Sequence, residues 1–311
     1  MQIVTKDTRF AGQNVIALGM FDGLHRAHRQ ILEQARQIAR AEGMHSLVYT
    51  FSSLPSAYFG GEAEMLFSPE EKVRAVAAME IDYLAMQPFD REIAEQSREE
   101  FARSLLERYR GGVWIAGYNF TFGRGAEGDA DYLRAYAAAH GVQCCILQKM
   151  EQGGNAISST RIRAAVRAGD MPLAEELLGR PYSIAGEIVH GREVGRKLGF
   201  PTANLQVPVG IQVPADGVYE GLVLVDDTAW PAAVNVGLPP TYADDAASAH
   251  LEANLIGYTG DLYGASVSLA FTRWLRPSRV FDSLDELIAT VEGNIEDIRH
   301  NLGEQGVNIR D

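Results

Sequence analysis

Cysteine is almost absent from this chain: two among 311 residues, and those two are neighbours, Cys144-Cys145. A disulfide framework needs several spaced cysteines, so none is expected; set in an apolar run, the pair is expected in the core. No cysteine or third histidine lies close in sequence to His25 and His28, which argues against a zinc site. No apolar run is long enough to span a bilayer. The first residues, Met1-Gln2-Ile3-Val4-Thr5-Lys6-Asp7, hold no apolar signal segment. A cytoplasmic protein with no membrane partner is expected. Basic residues are outnumbered, 28 Lys and Arg against 41 Asp and Glu, for a formal charge of −13. That argues against a nucleic-acid partner, which wants a basic surface. It does not argue against phosphates, which local Arg, Lys, Mg²⁺ and backbone N–H groups bind in acidic proteins too. The length allows two domains, and no flexible Gly/Ser linker separates them. A helix stopping at Gly179 and Pro181 marks the boundary, giving domains 1–180 and 181–311.

The first half alternates strand and helix. Candidate strands cover 14–18, 46–51, 83–86, 113–116 and 142–147. Ser68-Pro69-Glu70-Glu71 and Ser97-Arg98-Glu99-Glu100 are capping-box helix starts. Residues 131–140 read as a helix closed by Gly141. Such alternation implies a parallel sheet covered on both faces, with ligands beyond the C-terminal ends of its strands.

Gly19-Met20-Phe21-Asp22-Gly23-Leu24-His25-Arg26-Ala27-His28 sits at such an end. It follows the apolar run Val15-Ile16-Ala17-Leu18 and leads into an amphipathic helix carrying Ile31, Leu32, Ala35, Ile38 and Ala39 on one face. Gly19 and Gly23 permit a tight turn and close approach of a ligand. The helix start offers free N–H groups and a positive dipole end, which suits a phosphate. His25 and His28, three apart, fall on the same side. The combination points to a nucleotide triphosphate.

Three more stretches carry chemistry-bearing residues. Gly117-Tyr118-Asn119-Phe120-Thr121-Phe122-Gly123 follows the fourth strand, with Phe120 and Phe122 as buried anchors. Ser52-Ser53-Leu54-Pro55 follows the second and reads equally as an ordinary turn. Gly153-Gly154-Asn155-Ala156-Ile157-Ser158-Ser159-Thr160-Arg161-Ile162-Arg163 opens another helix. Its hydroxyls cap that helix or cradle a phosphate, and its arginines supply fixed positive charge.

The second half changes character. Short strands at 183–189, 218–225, 232–236, 250–256 and 266–271, separated by Gly, Pro and Asp, suggest a barrel. One helix from Ser283 to about residue 301 ends it, with Leu284, Leu287, Ile288, Val291, Ile295 and Ile298 as its apolar face. Gly191-Arg192-Glu193-Val194-Gly195-Arg196-Lys197-Leu198-Gly199-Phe200-Pro201-Thr202-Ala203-Asn204 is Gly-rich and basic. It wraps a phosphate with backbone N–H groups, or is a turn before an edge strand. Thr202 and Asn204, two apart on extended chain, face one way and offer the oxygen ligands a Mg²⁺ ion wants.

Together these stretches resemble the bacterial bifunctional riboflavin kinase/FMN adenylyltransferase family, also called FAD synthetases, from about residue 14 to 302. Gly19–His28 is similar to the family's G-x-F-D-G-x-H-x-G-H, with Ala27 in place of the last glycine; its methyl is expected to limit how closely a triphosphate approaches. The loop at Asn119 resembles G-x-[DN]-F-x-F-G, and Ile157–Arg163 resembles I-S-S-T-x-x-R. Residues 191–204 match G-x-x-x-G-x-x-x-G-F-P-T-A-N. Downstream, Gly217-Val218-Tyr219, Asn235-Val236-Gly237 with Pro240-Thr241, Leu251-Glu252-Ala253-Asn254-Leu255 and Asp261-Leu262-Tyr263-Gly264 match further family segments.

The resemblance implies a Rossmann-like α/β nucleotidyltransferase domain, then an antiparallel β-barrel riboflavin kinase domain with a terminal helix. It implies riboflavin, FMN and ATP as substrates, with Mg²⁺. Gly19, Phe21, Asp22, Gly23, His25, His28, Asn119, Ser158, Ser159, Thr160 and Arg163 would hold one ATP, His28 and Arg163 acting in catalysis. Gly191, Gly195, Arg196, Lys197 and Gly199 would hold the phosphates of the other. Thr202 and Asn204 would bind the metal, and Glu252 would be the general base. Two alternatives compete: a kinase whose adenylyl half has lapsed, and a flavin-binding protein without turnover. A mere binder has no need of a base and metal ligands together.

Overall fold

The structure, a computed structural model, describes residues 1–61, 63–191, 195, 198–237 and 250–309. The chain divides into two units, Met1–Ser159 and Thr160–Asp311.

In the first unit, β1 (Gln2–Ile3) is short and exposed. β2 (Asn14–Leu18) is buried at every position, which demands cover on both faces. The elements that follow are α1 (Arg26–Glu42), β3 (His45–Phe51), α2 (Pro55–Tyr58), α3 (Pro69–Ala78) and β4 (Tyr83–Gln87). Then come α4 (Arg91–Glu95), α5 (Arg98–Glu107), β5 (Gly111–Gly117), α6 (Ala130–Ala139) and β6 (Gln143–Leu147). The strands pair in parallel in the order β1-β4-β3-β2-β5-β6. Alternate strand residues feed two cores. Ile16, Leu18 and Trp114 pack with Phe101 and Leu133 from α5 and α6. Val15, Ala17 and Ile115 pack with Leu32 and Val76 from α1 and α3. Cys144 leans on the first core and Cys145 on the second, and both thiols are free. The capping boxes at Ser68 and Ser97 are formed on both sides.

A small hairpin, β7 (Glu151–Gln152) and β8 (Asn155–Ala156), turns through Gly153 and Gly154, both at positive φ. It leads to α7 (Ser159–Arg167) and α8 (Met171–Leu178). α8 packs on strands of the second unit.

That unit contains β9 (Tyr182–Val189), β10 (Ala203–Gln206), β11 (Gly217–Val225), β12 (Thr228–Val236), β13 (His250–Leu255) and β14 (Ser266–Arg276). They pair antiparallel in the order β11-β14-β9-β10-β13-β12, and a β11–β12 ladder closes the barrel. α9 (Leu284–Leu302) packs on β12, and β15 (Val307–Asn308) adds to β12 as a short flap.

Three details depart from the sequence reading. β10 is not at an edge; it lies between β9 and β13. β12 starts four residues earlier than 232 and carries Pro231 within it, opposite Leu222. A proline ring donates no ladder bond, but Pro231 sits where the β13 ladder stops, and its carbonyl still accepts from the Ile256 N–H at 2.7 Å. On α9, only Ile295 and Ile298 are buried, while Leu284 at the other end is 54% exposed.

Candidate active sites

At the end of β2 the chain makes an elbow. Phe21 is left-handed (φ 49°), and a 3-10 turn at Asp22–Leu24 passes through Gly23 at φ 74°. The fully buried Phe21 ring lies under Gly19: a Cβ there would sit 2.9 Å from it. Gly19 is therefore needed for close approach. Asp22 is fully buried, and its Oδ1 accepts from the Leu66 and Phe67 N–H groups at 2.8 and 3.3 Å, which pins the approach to α3.

His25 caps α1. Its Nδ1 accepts from the His28 backbone N–H at 3.3 Å, so the proton of the neutral ring belongs on Nε2. The two imidazoles are stacked, centroids 3.5 Å apart, and Phe21 meets His28 edge-on at 5.2 Å. Burial pushes His25 down to about 4. His28 is pushed well below 6.5 by burial, then by His25 and the Lys72 charge. Both rings are neutral at pH 7. Each then offers one N–H, which a phosphate accepts without a second buried cation to be desolvated.

The floor of the elbow holds residues that the sequence reading did not single out. Lys72 of α3 is 1% exposed, and its Nζ donates to the Met20 carbonyl at 2.9 Å and the Phe51 carbonyl at 2.6 Å. Thr50 donates to the same Met20 carbonyl at 2.8 Å. Burial lowers Lys72 to about 8, with Asp22 opposing. The one signal in the sequence was a lysine one helical turn before the core residue Val76.

Ser159 reaches this elbow: its Oγ donates to the Asp22 carbonyl at 2.8 Å. Ser158 precedes it. Asn119 is exposed just past β5, and Gly117 lies against both its Oδ1 and Ile31 of α1. Phe120 and Phe122 stack at 5.5 Å and anchor that loop on Phe101. Thr160 and Arg163 fall in the second unit, on α7; Arg163 is buried and its Nη2 donates to Thr160 Oγ1 at 3.4 Å.

In the barrel, register assembles a second polar set. β10 puts Asn204 opposite Glu252, and β12 puts Asn235 opposite Glu252 from the other side. Directly opposed residues on neighbouring strands share a face, so the three form one row. Asn235, not expected as a site residue, also accepts from Ser278 Oγ at 3.4 Å. Asn254, next along that face, donates to the Pro201 carbonyl at 2.7 Å. A Cβ on Gly191 would overlap the Asn204 amide, and one on Gly195 would sit 3.4 Å from Thr202 Oγ1. Gly191 thus lies directly on the Asn204 amide, while Gly195 lies on the Phe200 carbonyl, which a Cβ would overlap, with Thr202 in ordinary contact beside it. Gly199 holds φ 88°. Arg196, Lys197, Pro240 and Thr241 lie outside the described residues. Hydroxyl, amide oxygen and adjacent bare backbone fit Mg²⁺, which takes few protein ligands and shares substrate phosphates. Among the described residues no cluster of three or more His, Cys, Asp or Glu could hold a metal.

Two family models match successive parts of the chain. A model described as FAD synthetase matches residues 7–161, and one described as riboflavin kinase matches residues 178–302. Proteins called bifunctional riboflavin kinase/FMN adenylyltransferase are 35% identical in Pseudomonas fluorescens, over 90% of both chains, and 36% identical in Escherichia coli K12, over 89% of both. The Bacillus subtilis protein of that name is 32% identical over 90% of both. A solved structure described as a macrolide-efflux protein from Streptococcus pneumoniae shares the fold, with TM-score 0.86 and 28% identity over 96% of this chain and 98% of that one. In the present chain, no helix among the described residues is long and apolar enough to cross a membrane. With both family models matched in order and relatives above 30% identity along nine-tenths of its length, the chain belongs to the bifunctional riboflavin kinase/FMN adenylyltransferase family.

Proposed function

We propose that the barrel phosphorylates riboflavin with ATP to give FMN, and that the α/β domain moves AMP from a second ATP onto FMN to give FAD. Both activities are those of the family, and the chain is an enzyme of both kinds. The working division falls near residue 180, so that Thr160 and Arg163 serve the adenylyl step. The observation that carries the reading is the presence of two polar sets: stacked neutral histidines at a helix start, and the Asn204–Glu252–Asn235 row beside a glycine loop.

For the kinase step, Glu252 takes the proton from the primary ribityl hydroxyl as that oxygen attacks the γ-phosphorus. The bond to the β–γ bridging oxygen breaks and ADP leaves. Backbone N–H groups at Gly191, Gly195 and Gly199 hold the phosphates, with Arg196 and Lys197 adding charge. Thr202 and Asn204 would hold Mg²⁺, which when bound neutralises phosphate charge. The Asn235 amide oxygen is engaged by Ser278, which leaves its N–H₂ group to orient the Glu252 carboxylate that lies opposite it in register.

For the adenylyl step, the FMN phosphate is already a nucleophile, and no base is required. Its oxygen attacks the α-phosphorus, the α–β bridging bond breaks, and pyrophosphate leaves. His25, His28 and the α1 N–H groups hold the phosphates, and Arg163 stabilises the charge that builds on them. Asn119, Ser158, Ser159 and Thr160 complete the cradle. Gly19, Phe21, Asp22 and Gly23 give it shape. The setting is cytoplasmic.

Two variants separate the steps. Glu252→Ala should cut riboflavin phosphorylation by about 10²–10⁴-fold, the usual span for a positioned acid–base group, while flavin binding stays near normal. His28→Ala should damage FAD formation from FMN and spare FMN formation from riboflavin. Unchanged kinase turnover in Glu252→Ala would remove that residue from the mechanism. Equal loss of both activities in His28→Ala would contradict the division into two sites.

A further inference from the structure

We propose that Lys72 is a positioning residue for adenylyl transfer: its ammonium holds the Met20 and Phe51 carbonyls beneath the elbow and offsets the negative charge that those carbonyls and the buried Asp22 carboxylate present to the phosphate site. The proposal rests on reading the first unit as the adenylyltransferase.

Strands in a parallel sheet end on carbonyl oxygens at the ligand side, and those oxygens repel an arriving polyphosphate. Phe51 is the last residue of β3, and Met20 lies two residues past the end of β2. Lys72 Nζ donates to both carbonyls, and Thr50 donates to one of them. The partial negative charge is thereby met by a full positive one. Asp22 fastens the same segment from the other side through the Leu66 and Phe67 N–H groups. Opposite charges at Asp22 and Lys72 thus staple residues 66–72 under residues 20–22.

Packing alone does not call for a lysine here. The side chain is 1% exposed, and burying an ammonium is costly where an apolar residue of similar volume would fill the space. Its charge is also felt at the ligand side, since it helps push the His28 imidazole down. His28 and His25 stay neutral and donate to phosphate from above; Lys72 supplies the fixed charge from below. This offset acts most on the triphosphate of ATP, which carries more charge than the single FMN phosphate, so its signature lies chiefly in ATP affinity.

The test uses the full chain with three substitutions at this position. Lys72→Gln keeps an N–H₂ group for the carbonyls and removes the charge. Lys72→Met removes both, and Lys72→Arg keeps the charge. In FMN adenylylation, Lys72→Gln and Lys72→Met should raise KM for ATP by about tenfold or more, as loss of one partly shielded charge contact would. KM for FMN should stay within about twofold, and Lys72→Arg should recover most of the ATP affinity. Riboflavin phosphorylation should be unaffected in all three. A purely structural lysine would behave otherwise: Lys72→Gln would rescue it, and Lys72→Met would lower kcat and melting temperature with KM for ATP unchanged. That pattern would overturn the proposal. Should Lys72→Met fail to fold, Lys72→Gln decides by the same ratio. If the wild-type chain makes no FAD from FMN and ATP, the underlying reading of the unit fails instead; if it does and Lys72→Gln has the wild-type KM for ATP, only the role of Lys72 fails.

Discussion

His25 and His28 show how much a residue's surroundings decide. Two histidines three apart were readable as neighbours on one side of a helix start. Their stacking at 3.5 Å and their neutrality come from burial under the elbow, which needs the fold. Neutral imidazoles carry a pH consequence. His25 is lowered to about 4 when folded from 6.5 when unfolded. Above pH 6.5 neither state binds the proton and the fold carries no penalty. As pH falls from 6.5 through 4, the unfolded chain binds a proton that the folded one refuses, so stability drops, by at most about 3 kcal/mol for this group. Melting of the wild type and of His25→Gln between pH 7 and pH 4.5 checks this: the wild type should lose more on acidification. Parallel losses would mean His25 is not held neutral. Ala27 is the other residue-scale question. It is the second residue of α1, in the first turn, where glycine costs less than the ~0.5–1 kcal/mol it costs in a helix interior. Ala27→Gly should therefore lower the melting temperature slightly and raise adenylyl transfer by relieving the methyl. An unchanged rate would mean the elbow tolerates it.

At the scale of elements, periodicity and capping were legible, and long-range register was not. The β2 run, the boxes at Ser68 and Ser97 and the helix closed at Gly141 all follow from local sequence. The early start of β12 was hidden because Pro231 reads as a strand breaker, yet its place at the end of a ladder leaves no bond to lose. An edge strand was the alternative reading of the stretch at 191–204, and Pro201 suited it; pairing on both sides of β10 came from barrel closure. Asn235 could not be tied to Glu252 from sequence, since only strand register puts them opposite. Lys72 was missed for a similar reason: its partners, Met20 and Phe51, are backbone carbonyls distant in sequence. The loop glycines make an element-scale prediction. Gly191→Ala would push its Cβ into the Asn204 amide. It should impair riboflavin phosphorylation strongly and raise the Mg²⁺ concentration the reaction needs, while FAD formation from supplied FMN is kept. A wild-type Mg²⁺ requirement would place Asn204 outside the metal site.

For the molecule as a whole, the change from strand–helix alternation to short strands marked two kinds of chemistry in one chain, and family resemblance named them. The structure adds a reason for each to be separable: the stacked histidines and Lys72 belong to the first unit, and the Glu252 row to the second. The central claim is that one chain carries riboflavin through FMN to FAD. The most direct test is an end-point chromatogram of the purified chain with riboflavin, excess ATP and Mg²⁺. The account predicts a FAD peak, with FMN rising and falling before it. FMN as the sole product would contradict it and place the defect in the Gly19–His28 elbow, with Ala27 the first residue to change.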